Sequence, residues 1–231
     1  MILRRPARHA VLAVCLWSAA AMAGEGRKVP FALPGEPPFC VSVLLTGAVV
    51  LAAHDQTGDG DAIRVRVDEN APDSDYASRL PVEVSDLQGR VLWSHDFGLN
   101  LSAPQGNTVT VAYQPATRLL LVTYEGYKWD HGHVLLAVGA GRRPRAVREY
   151  RSADRDILPR LRRREDFPDD CRYWIYPRRL VPGGVVFECI PLQKPEHEAV
   201  HPFAQEEPWY EVTAKVGSGG KMLPVAVKRS H

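Results

Sequence analysis

A chain of 231 residues with 45% hydrophobic and 24% charged side chains carries enough apolar material for a folded core and excludes wholesale disorder. Its net charge of +2 belongs to the N-terminus: residues 1–23 hold three arginines and no acids, and without them 26 basic face 27 acidic side chains. The remainder therefore has no electrostatic reason to seek nucleic acid or an anionic membrane.

Arg4, Arg5 and Arg8 precede an uncharged stretch from Ala10 to Ala20, and Ala21-Met-Ala23 supplies small residues for cleavage. This is the pattern of an export signal, which predicts cleavage after Ala23 and a secreted or periplasmic protein. The apolar stretch is shorter than the ~20 residues that span a bilayer, so no transmembrane segment is expected after cleavage. Export permits disulfides.

Residues 24–38, with Pro30, Pro34, Pro37 and Pro38, read as an extended lead-in laid over the surface. From residue 39 to 231 a single mainly β domain is expected. Val41 to Ala53 is almost wholly apolar with Gly47 in its middle, which fits one bent strand or two short ones. His54 to Asp61 reads as an acidic turn, and Ile63, Val65 and Val67 then alternate with Arg64, Arg66 and Asp68 as in a half-buried strand. Leu80/Val82/Val84 and Val91/Trp93/His95 flank a Gly-containing loop and predict a hairpin. The wording Val84-Ser-Asp-Leu-Gln-Gly-Arg-Val-Leu-Trp93 resembles an outer hairpin of a β-propeller blade. It occurs once, and without a repeat it implies an antiparallel hairpin and nothing larger.

Arg118-Leu-Leu-Leu-Val-Thr-Tyr124 is too short for a helix and too apolar for a half-exposed strand, so it reads as a strand buried on both faces. Val109/Val111/Tyr113 before it, and Val134–Val138 and Val147 after it, complete a meander. Ser152 to Arg164 is the one helical stretch, with Asp154 and Asp156 in its first turn and Pro159 limiting its length. Two further hairpins follow, Arg172–Ile190 and Trp209–Lys228. The fold class is accordingly mainly β: an antiparallel β-sandwich or irregular barrel-like meander with one short helix.

Four constellations carry candidate chemistry. His197-Glu-Ala-Val-His201 satisfies H-E-x-x-H, in which His197 and His201 would hold zinc and Glu198 would polarise its water. That geometry needs a helix, whereas Pro195 and Pro202 bracket the motif and leave room for about one turn. Tyr127, Trp129, His131 and His133 fall on one face if their segment is extended, forming a stacking platform for a sugar or cation, or a cap on the β core. Asp55, Asp59 and Asp61, with Thr57 and Gly60, follow the start of a calcium loop. Arg66 then stands where the loop's closing glutamate belongs, and a plain Asp/Gly turn explains the segment equally well. Cys171 and Cys189 would face each other if their hairpin turned midway between them, and closing that loop would add ~3 kcal/mol.

The arginines between Arg142 and Arg164 are interleaved with acids, the mark of a solvated surface more than of a phosphate-tracking patch. The expectation is an exported, non-catalytic binding or envelope-associated module of unknown ligand, an envelope component or glycan being one candidate, with no cofactor unless zinc or calcium is bound. The alternatives are a zinc-dependent hydrolase using residues 197–201 and a calcium- or carbohydrate-binding accessory domain.

Overall fold

The computed structural model describes residues 26–58, 60–68, 70, 79–99, 106–126, 131–139, 147–150, 153–167, 172–192, 209–217 and 221–230. The export-signal residues, Asp59, Tyr127, Trp129, Cys171, His197, Glu198 and His201 lie outside them. Among the described residues there are three antiparallel sheets and one helix, with no closed barrel.

Sheet A has the order β1 (Arg27–Pro30), β2 (Phe39–Leu45), β5 (Pro81–Asp86), β6 (Val91–Asp96). Sheet B runs β10 (Val147–Glu149), β9 (His131–Val138), β8 (Leu119–Glu125), β7 (Asn107–Gln114), β4 (Gly60–Val67), β3 (Val49–Thr57). Sheet C is formed by β11 (Arg172–Val181), β12 (Gly184–Leu192), β13 (Tyr210–Val216) and β14 (Met222–Arg229). Helix α1 spans Ala153–Leu161, shorter than the sequence suggests, with Pro159 inside it.

Strand β8 sits where its composition places it, between two cores. Leu120, Val122 and Tyr124 join Val41, Val43, Val82 and Val84 of sheet A in one hydrophobic cluster. Leu119 and Leu121, projecting from the other side, join Ile157 and Leu161 of α1 and Phe187, Val212 and Met222 of sheet C in the second. Sheet B is thus the middle of three β layers. Side chains alternate across a strand, so a run with no polar interruption is what a middle layer requires. Sheet C is tied on by polar contacts as well: Gln114 donates its amide to the Val181 carbonyl, and the Met222 N–H donates to buried Asp156 at 3.1 Å.

Two expectations, at the lead-in and the apolar run, are sharpened, and two, at the acidic turn and the cysteine hairpin, are corrected. The lead-in forms edge strand β1, which pairs with β2 through Val29↔Val43 and buries Val29. The apolar run Val41–Ala53 divides at Gly47 (φ 58) and sends its halves to different sheets, since glycine adopts this left-handed conformation without steric cost. The acidic turn is mostly strand: β3 continues to Thr57 and β4 starts at Gly60, with Gln56 opposite Asp61. The hairpin β11–β12 forms, but it turns at Pro182 and Gly183, so Cys189 faces Ile175 while Arg172 pairs with Leu192. The register in which Cys171 would face Cys189 is therefore displaced, because the turn lies beyond the midpoint of the two cysteines.

A candidate ring cleft between the central sheet and sheet C

His131 and His133 share the parity of Leu135 on β9 and so face sheet C. They lie in regular strand, which extends β9 ahead of the Val134–Val138 run that the sequence marks. Opposite them stand Trp174 and Tyr176, alternate residues of β11. The His131 ring stacks on Trp174 at 4.9 Å between centroids, and the His133 ring stacks on Tyr176 at 4.4 Å. The two imidazoles meet edge-to-face at 5.4 Å, and Trp174 meets Tyr176 likewise at 5.8 Å. Three of the four separations lie within the roughly 4.5–7 Å range of favourable ring pairs, and the His133–Tyr176 stack falls just short of its lower edge. Two strands from different sheets therefore build one four-ring wall. It borders a cleft of about 310 Å³ whose other lining includes Glu149, Tyr150 and Phe187.

The cleft distributes charge in a definite way. Burial holds the His133 imidazole down at about 4, helped by the neighbouring His131 and Arg178, so the ring is neutral near pH 7. Among the described residues, its buried Nδ1 has no hydrogen-bond partner. Burial likewise pushes the Tyr176 hydroxyl above its ordinary value, and the hydrogen bond that it donates to Glu188 at 2.6 Å adds to the effect. Trp174 is 40% exposed despite its stacking, so its indole presents apolar surface at the cleft mouth.

A general base near pH 7 needs a pKa near 7. His133 is too weak a base, and Tyr176 holds its proton firmly. The rings suit binding by stacking better than proton transfer.

A second concavity of about 450 Å³ lies on the same side of sheet B. Its floor includes Thr108, Thr110 and Thr123, with Asp55, Arg64 and Glu125 beside them, and Arg178 and Arg179 of β11 form a wall. Sheet C covers β9 and the Leu119–Leu121 end of β8 but leaves the rest of this side of the central sheet open.

The structure separates the calcium candidates that it describes. Asp55 faces this open groove, whereas Asp61 projects from the opposite side of sheet B and is 2% exposed. Asp61 accepts hydrogen bonds from the Ala32 N–H, from Gln56 Nε2 at 2.7 Å and from His54 Nε2 across 2.7 Å. It anchors the segment following β1, which accounts for a buried carboxylate there. Among the described residues, no group of three His, Cys, Asp or Glu side chains comes together as a metal site. His131 and His133 stand side by side on β9, while Tyr127 and Trp129 of the same candidate set lie outside the described residues.

Sequence reasoning does not single out Trp174 and Tyr176. The signal is present as the alternation Trp174, Tyr176, Arg178, but a strand pattern gives a shared face and not the sheet it will meet. No protein-family model, no curated protein and no solved structure matches the chain.

Proposed function

We propose that the chain is an exported, non-catalytic, envelope-associated binding module whose ligand occupies the cleft between sheets B and C. The observation that carries this reading is the four-ring wall of His131, His133, Trp174 and Tyr176, with Trp174 left exposed at its mouth. Such rings supply large contact area at low conformational cost. The depressed His133 and elevated Tyr176 argue against acid–base chemistry at this cleft. Export rests on the basic n-region and the Ala21-Met-Ala23 site.

The test is retention of the processed protein by purified cell envelopes, measured by co-sedimentation. Trp174→Ala removes exposed surface and should lower retention about tenfold or more if the indole is an anchor, with circular dichroism confirming that the variant, which also loses the stack on His131, is folded. Retention unaffected by Trp174→Ala would overturn the assignment of the site.

A further inference from the structure

Successive residues of β11 line the ring cleft and the threonine groove. Tyr176 and Pro177 line the first, and Arg178 and Arg179 line the second. Trp174 and Tyr176 are alternate residues and Arg178 follows in the bulge between Pro177 and Arg179, so the three backbone positions span at most about 13 Å along the strand. Cross-strand register orders the groove floor: Arg64, Thr108 and Glu125 form one row, and Asp55, Ala62, Thr110 and Thr123 form the next. Neighbouring strands stand about 4.8 Å apart and successive rows about 6.8 Å. Among the described residues, no hydrogen bond uses the hydroxyls of Thr108, Thr110 or Thr123, and no ion pair engages Asp55, Arg64 or Glu125.

The charges nearly cancel. Asp55 and Glu125 offset Arg64, while Arg179 bonds Glu211 at 3.0 Å and Arg178 lies 3.9 Å from Glu188. A polyanion would meet Asp55 and Glu125, and a polycation would meet the arginines. A run of hydroxyls, which both donate and accept, can bond to carboxylates, guanidinium groups and threonines on one surface. The apolar face of a sugar ring suits the exposed indole.

We infer that the ligand is an uncharged oligosaccharide, with one ring stacked on Trp174 and the following rings laid over the threonine floor of the central sheet. This rests on the ring cleft being the binding site.

Isothermal titration calorimetry of the full exported protein tests it with neutral hexasaccharides of β-1,4-glucose, β-1,4-N-acetylglucosamine and α-1,4-glucose, beside hexagalacturonate. The expected result is binding of at least one neutral series, with its disaccharide about tenfold weaker or more because it cannot span both concavities. Thr110→Val keeps the side-chain shape and should weaken that binding about two- to tenfold, the worth of one hydrogen bond. Preference for hexagalacturonate, or no loss in Thr110→Val and Thr123→Val, would overturn the inference while a loss in Trp174→Ala kept the cleft. Envelope retention that needs Trp174, with none of these sugars bound, would likewise remove the saccharide and keep the cleft. Sugar binding and envelope retention that are both indifferent to Trp174→Ala would sink both.

Discussion

Adjacent leucines on β8 offer a direct test of the three layers. Leu120 is 0% exposed in the core shared by sheets A and B, and Leu121 is 3% exposed in the core shared by sheet B, α1 and sheet C. Truncating a fully buried leucine removes its transfer free energy and leaves a cavity that packed sheets close only in part, costing about 2–5 kcal/mol. Leu120→Ala and Leu121→Ala should each cost that much, because each side chain is enclosed by a different pair of layers. Thr123 projects from the same side as Leu121, but beyond the cover of sheet C, so Thr123→Ala should stay within about 0.5 kcal/mol of the parent. Urea unfolding followed by far-UV circular dichroism reads all three; unchanged slopes with shifted midpoints identify a change of stability. A full cost at Leu120 with almost none at Leu121 would refute the second interface, since one face of β8 would then lie open.

Other consequences are checked independently. Asp156 is 7% exposed and accepts from the Tyr150 hydroxyl at 2.7 Å and the Met222 N–H at 3.1 Å, so Asp156→Ala should cost about 2–3 kcal/mol in thermal or chemical unfolding. Burial pushes this carboxyl up, but the hydrogen bonds from Tyr150, Met222 and Arg155 outweigh it and hold it below its ordinary value. A depressed carboxyl stabilises the fold above the unfolded pKa and loses that contribution as pH falls below it, so the variant should show a flatter acid limb near pH 4 and below. Intact-mass measurement of the exported protein should give a chain beginning at Gly24; retention of residues 1–23 would remove the compartment argument. Elemental analysis should find less than one zinc per chain, and stoichiometric zinc that disappears in His197→Ala would revive the hydrolase alternative.

Much of the strand layout is legible in the sequence, because alternation and turn residues are local signals. Ile63 and Val65 bury while Arg64 and Arg66 stay exposed, as their pattern dictates. The Asp86–Gly89 loop closes as a hairpin, with the Asp86 carboxylate accepting from the Arg90 N–H at 2.9 Å. The continuous apolar run at β8 even reports burial on both faces. What the sequence hides is which sheet each strand joins. Val41–Leu45 and Val49–Leu51 read alike, yet Gly47 directs them into separate layers. The hairpin of Cys189 shows the same limit in register: composition marks the turn region, but Pro182 and Gly183 decide which residues face each other. The ring cleft joins β9 to β11 across sheets, so the histidines were visible as a pair and their aromatic partners were not.

The His133 ring reports that junction more directly than any other group. Its titration can be followed by the imidazole proton resonances and assigned with His133→Gln. If β11 closes over β9 as described, the ring titrates at about 4 in the folded protein. A midpoint near the ordinary 6.5 would place the ring in water and contradict the cleft on which the proposed function rests.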